Sequence, residues 1–185
     1  MRLTLVSVLM VFLSAPAIAA EDNGTAGIWL DVPFVKQPEN GCGAASIAML
    51  LRYWSSHNVQ VPPDKIEPPA IQRALYSPEA KGIFASAMAR YLDNAGMQAH
   101  AFRGEWADLR HHLSLGRPLI AALKPRSGNG PFHYVVIVGL DWDREAVFVN
   151  DPARGKLLRV EWPEFEKEWR AAGNWTLLAV PRQNK

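Results

Sequence analysis

Apolar residues recur along this chain at two different spacings, and the change falls past Gly116. Ile47, Leu50, Leu51 and Trp54 stand at i, i+3, i+4 and i+7, one face of a helix that starts at Cys42. Ile83, Phe84, Ala87, Met88, Tyr91 and Leu92 make a second helical stripe, closed by Gly96. Trp106, Leu109 and Leu113 make a third, closed by Gly116, with a strand-like segment around His100 before it. Residues 55–69 hold four prolines and are expected to be loop, with one short helical turn around Ile66. Beyond Gly116 the helical period gives way to short apolar runs. Pro118–Leu123, His133–Leu140, Ala146–Asn150, Lys156–Val160 and Thr176–Val180 are predicted strands, the second of them the strongest. Residues 141–145 and 151–155 make hairpin-length turns, and Trp162, Phe165 and Trp169 share a face of a helix over 163–171. Asp31–Lys36 is extended ahead of a turn over Gln37–Gly41, since Pro33 disfavours helix before it. Helices followed by a meander of strands predict an α+β domain with its helices packed on an antiparallel sheet.

The N-terminus stands outside this pattern. Arg2, an apolar run over Leu3–Leu13 and small residues up to Ala20 describe a secretory signal peptide over residues 1–20. The run is too short to span a bilayer comfortably, and no later stretch reaches 18 apolar residues. Residues 21–30 are expected to be a loose leader, and 31–182 the folded domain. The expected product is exported, periplasmic or secreted, with no stable membrane insertion once the signal is removed.

Composition narrows the function classes. With 49% hydrophobic and 21% charged residues in 185, the chain can bury one sizeable core. Its formal charge is +2 and no five like charges run together, so a nucleic-acid partner has no electrostatic support. Gly128-Asn-Gly130 is a turn and not a phosphate loop, and no metal-ligand spacing occurs, so no cofactor is implied. Cys42 is the single cysteine, which excludes an internal disulfide and a cysteine-rich zinc site.

Cys42 lies between Gly41 and Gly43 at a helix start, where partial positive charge and unpaired N–H groups favour a thiolate. Such a residue serves either as a small packed apolar side chain or as a nucleophile. A nucleophile needs a base. His57, His100, His111 and His112 lie where histidines commonly serve the surface or core, whereas His133 opens the strongest strand beside the 124–131 loop. If that strand pairs antiparallel with the next, Asp151 falls at the same sheet end as His133, the place of an orienting carboxylate. Gln37, five residues before Cys42 across a turn, can fold its amide back toward the thiol as a donor to an oxyanion. Gly41, Gly43 and the 124–131 loop suggest a narrow cleft with one mobile wall.

Five segments in this order carry a resemblance: Val32–Gln37, Gly41–Ser46, Gly116–Ile120, His133–Gly139 and Asn150–Pro152. Together they resemble the papain-like cysteine peptidases of the bacteriocin-processing, double-glycine-leader type and their stand-alone relatives, over roughly Asp31 to Val180. The resemblance implies a papain-like fold with Cys42 as nucleophile, His133 as base, Asp151 orienting the imidazole and Gln37 in the oxyanion hole. A peptide or protein substrate is implied, hydrolysed through a thioester. Family members often carry Asp before the cysteine; Gly41 stands there in this chain, which weakens the inference to a double-glycine leader. Two alternatives remain from the residues: a peptide-binding or adaptor module of the same fold, with grooves from its seven tryptophans, and a cell-wall peptide amidase.

Overall fold

The computed structural model of the protein describes residues 27–124 and 130–182. The expected signal peptide, residues 21–26 of the leader and residues 125–129 of the expected mobile wall lie outside the described residues.

Two antiparallel hairpin steps carry the site. β5 (Leu119–Leu123), β6 (His133–Asp141), β7 (Ala146–Asp151) and β8 (Gly155–Glu161) form a meander, in which Leu123 faces His133 and Val136 faces Asn150. The last strand, β9 (Trp175–Pro181), returns to the far side of β5 and pairs there with β4 (Met97–Arg103), giving the order β4-β9-β5-β6-β7-β8. The expected meander is therefore broken by one long return, made by the helix α5 (Trp162–Ala171).

The unbroken apolar run of β6 has a physical reason: both faces of the sheet are covered. Tyr134, Val136 and Val138 pack with the helix α1 (Cys42–Ser56) in one buried cluster. Val135 and Ile137 point the other way and pack with α5 and with α4 (Trp106–Ser114) in a second cluster. β5 splits likewise, Ile120 and Ala122 to the first cluster and Leu119, Ala121 and Leu123 to the second. α1 is buried almost all round, with Ala44, Ala45, Ile47, Ala48, Met49, Leu50 and Leu51 fully inaccessible. Its run of small residues lets it lie close to the sheet. Among the described residues no helix is long and apolar enough to cross a membrane.

The region between the first two predicted helices is more structured than expected. The prolines of 55–69 do not only break helix: Pro63 opens a 3-10 turn over Pro63–Lys65 and Pro68 opens α2 (Pro68–Leu75). Proline is favoured at a first helical position, where its missing N–H has no partner to lose. A two-stranded hairpin follows, β2 (Tyr76–Ser77) on β3 (Gly82–Ile83). The next helix, α3 (Ala85–Asn94), starts later than its apolar stripe suggested, because Ile83 belongs to β3 and Phe84 is the N-cap. At the N-terminal end the expected loose leader finishes as a strand: β1 (Ile28–Trp29) pairs with β6.

Candidate active site

α1 begins at the residue singled out by the sequence. Its N-cap is Gly41, with no side-chain cap, so the N–H of Cys42 has no intrahelical acceptor. A Cβ on Gly43 would meet Ile83 Cβ at 3.2 Å and Tyr134 Cδ2 at 3.4 Å, so glycine there sets how closely the helix start approaches β3 and β6. One turn on, the buried Ser46 hydroxyl donates to the Tyr134 carbonyl at 3.3 Å. Ser46 lies one turn from Cys42 and Tyr134 follows His133, so this bond brings thiol and imidazole to the same edge of the sheet.

His133 opens β6 and Asp151 ends β7, and antiparallel pairing puts both at one end. His133 Nε2 donates to Asp151 Oδ1 at 2.8 Å, and the Ala153 N–H donates to the same oxygen at 2.9 Å. With Nε2 committed to the carboxylate, Nδ1 is the nitrogen left for Cys42. Burial favours the neutral imidazole, but hydrogen bonds to Asp151 and Cys42 outweigh it and push the His133 pKa up to about 9. Burial likewise opposes charge on Asp151, yet the hydrogen bond and charge of His133 hold that carboxyl below its usual range. The imidazolium therefore persists through neutral pH and is lost as pH rises through about 9.

That assignment gives a pH test. Asp151→Asn retains an acceptor for Nε2–H and loses the negative charge. A hydrogen bond to a charged partner exceeds a neutral one by roughly 1 kcal/mol, so turnover falls about 5–10-fold. The alkaline limb of kcat/KM, expected near pH 9 in the parent, should shift toward the ordinary histidine range. An unshifted limb in the Asn variant would remove Asp151 from the site.

The residues flanking Asp151 hold the remaining wall. Asn150 is buried, donating Nδ2–H to the Val32 carbonyl at 3.0 Å and accepting the Leu157 N–H at 2.9 Å. The Pro152 carbonyl accepts the Gln37 N–H at 3.0 Å. Three consecutive residues thus fix both the imidazole, through Asp151, and the extended segment that carries Gln37. Gln37 lines the same cleft of ≈ 760 Å³ as Cys42 and His133, and its Oε1 is buried with no hydrogen-bond partner among the described residues. Facing walls come from the β2–β3 hairpin and from Gly130–Phe132. Tyr134 braces the hairpin by donating its hydroxyl to the Ile83 carbonyl at 3.3 Å, and burial pushes that phenol above the usual tyrosine range.

Gly41, where the resemblance leads one to expect Asp, is explained by space. A Cβ there would sit 2.6 Å from Pro38 Cγ and Cδ. Gly41→Asp must displace Pro38 and with it Gln37. We expect a loss of about 1–3 kcal/mol in denaturant unfolding, typical of overpacking, together with slower turnover. Unchanged stability and rate would mean that the turn accommodates the side chain freely.

Of the four residues expected at the site from the sequence, Cys42, His133 and Gln37 line one cleft, and Asp151 lies behind His133, bonded to its imidazole. The other described histidines do not. His57 pairs its Nδ1 with the Tyr53 carbonyl at 2.7 Å, His100 lies on β4 opposite Leu178, and His111 and His112 lie together on α4. Among the described residues no three His, Cys, Asp or Glu side chains converge as metal ligands. The bracing roles of Ser46 and Asn150 were missed as roles, although both lie inside segments that carry the resemblance. The β2–β3 wall was missed outright; the turn residues Pro78 to Gly82 were its one sequence mark.

Comparison with known proteins agrees with this geometry. Over 137 residues the chain is 28% identical to LagD, the lactococcin-G-processing and transport ATP-binding protein of Lactococcus lactis subsp. lactis. That match covers 72% of this chain and 17% of LagD, so the chain spans about a sixth of that relative's length. The fold superposes on a C39-like peptidase from Bacillus anthracis with a TM-score of 0.64 at 19% identity, covering 85% of this chain and 99% of the other. It also superposes on a double glycine motif protease from an AMS/PCAT transporter, solved with its leader peptide, with a TM-score of 0.62 at 24% identity over 83% and 94% of the two chains. The family model that matches spans residues 29–177, from β1 through Cys42, His133 and Asp151 into β9, and the chain belongs to the peptidase C39-like family.

Proposed function

We propose that this protein is an exported cysteine peptidase that hydrolyses a peptide bond through a thioester on Cys42. The observation that carries the reading is the His133–Asp151 pair at 2.8 Å, opening onto a cleft shared with Cys42 and Gln37. Transfer of the thiol proton to His133 Nδ1 makes the thiolate–imidazolium pair that persists through neutral pH, and the sulfur attacks the substrate carbonyl carbon. The carbonyl electrons move to oxygen, where the Cys42 N–H and the Gln37 side-chain N–H receive the negative charge. When the C–N bond breaks, the imidazolium hands its proton to the leaving amine. A water, deprotonated by the same imidazole, then attacks the thioester and frees the thiolate. Export is supported by the apolar run of residues 3–13 and the small residues after it.

The test is digestion of a proteome-derived peptide library by the chain lacking residues 1–20. Cys42 is the one thiol, so stoichiometric alkylation must stop all cleavage. Cleavage that survives complete alkylation, or none before it, overturns the reading.

A further inference from the structure

The cleft has a charge and shape of its own, beyond the four reacting side chains. Lys81, in the turn of the β2–β3 hairpin, lines one wall, and Lys124, just past β5, lines the other. Among the described residues neither ammonium is paired with a carboxylate. No Asp or Glu is among the described residues that line this cleft. Two large aromatic side chains stand beside the lysines. Phe84, at the start of α3, is 47% exposed, and Phe132, next to His133, is 45% exposed. Both line the cleft, and neither ring packs on another aromatic among the described residues. Apolar surface left open inside a concave site, with unpaired charge of one sign on both walls, marks what the site takes.

We propose that the cleft selects peptides carrying a carboxylate close to the scissile bond, read by Lys81 and Lys124, with an apolar side chain held between Phe84 and Phe132. This deepens the peptidase reading and rests on it for the cleavage itself. The carboxylate has two possible sources, an Asp or Glu side chain or a free peptide C-terminus. Either brings negative charge to a cleft that both lysines line and that no Asp or Glu lines among the described residues. The lysines supply charge attraction more than fixed geometry, so the preference depends on salt.

Two measurements test this, one independent of turnover. Cys42 is alkylated in parallel with iodoacetate, an anion, and iodoacetamide, its neutral counterpart. The imidazolium of His133 favours the anion in every variant, so the lysine contribution is read as the change in the iodoacetate-to-iodoacetamide rate ratio on substitution. We expect a fall of about 2–5-fold for Lys81→Gln or Lys124→Gln and a larger one for K81E/K124E, shrinking as salt rises. The neutral reagent monitors in each variant that the site is intact. The second measurement maps cut sites in two peptide libraries, one with free and one with amidated C-termini. Enrichment of Asp or Glu around the cuts in both libraries supports a side-chain source. Cuts that vanish on amidation support the terminal carboxylate. Cuts with no carboxylate bias in either library, or a reagent ratio unmoved by all three lysine variants, overturn the proposal while leaving the peptidase reading in place. If no peptide is cut, the peptidase reading fails and the reagent ratio still decides the charge preference of the cleft.

Discussion

Replacing Cys42 with alanine is expected to remove the proposed peptide hydrolysis and to leave the fold standing. The substitution deletes one sulfur from a half-buried position at the first turn of α1. The helix keeps its small-residue face, Ser46 keeps its bond to Tyr134, and His133 keeps Asp151 at 2.8 Å. The stability change is therefore about 1 kcal/mol or less, the loss of one small group at a partly open site. Turnover behaves differently. In the proposed mechanism the sulfur forms the covalent intermediate, and neither His133 nor Gln37 can replace it. In hydrolases of this logic, removing the nucleophile costs on the order of 10⁶ in kcat, and the residual rate reflects binding and oxyanion stabilisation alone. The check pairs library digestion with a thermal unfolding midpoint. A loss of hydrolysis with a midpoint within a few degrees is the expected result. Turnover within tenfold of the parent would exclude Cys42 as nucleophile. A parent and variant that bind peptides equally and cut none would favour the adaptor reading of the same fold.

The candidate site residues were legible in the sequence because each occupies a place that local rules mark. Cys42 lies at a glycine-flanked helix start, His133 opens the most strand-like run, and Asp151 ends the next strand one turn away. Antiparallel pairing of adjacent strands then leaves only one relative position for the last two. The parts that were not legible depend on contacts distant in sequence. The burial of β6 on both faces made its run unbroken, but nothing in the run says that α4 and α5 cover one side and α1 the other. The return of β9 between β4 and β5 is likewise a tertiary outcome. The prolines of 55–69 point to loop with one short helical turn, yet Pro68 and Pro69 sit in the first turn of α2. The hairpin that walls the cleft lies beyond them, and the helical spacing of Ile83 and Phe84 masks its second strand. Asn150 illustrates the same limit. Its place beside Asp151 is local, but its bond to Val32 spans 118 residues.

That long bond decides what should happen at Gln37. Removing its amide, as Gln37→Ala, is expected to slow kcat by about 10²–10³ with little change in KM. Charge on the carbonyl oxygen develops only as sulfur attacks, so a donor aimed at the oxyanion acts on the transition state and not on substrate binding. The backbone at this residue is held independently of its side chain. The Gln37 N–H stays bonded to the Pro152 carbonyl at 3.0 Å, and Asn150 anchors Val32 on the same segment. Truncation should therefore leave the wall in position, and the Cys42 N–H remains as the second donor. Gln37→Glu should be worse than alanine, because it turns a carboxylate toward a developing negative charge. A further readout separates this role from damage to the cleft. Alkylation of Cys42 by iodoacetamide builds no oxyanion, so Gln37→Ala should alkylate at nearly the parent rate while hydrolysis drops. If alkylation and hydrolysis fall together, Gln37 acts by holding the cysteine in place. If neither falls, the oxyanion is served by other donors and Gln37 belongs to the wall of the cleft alone.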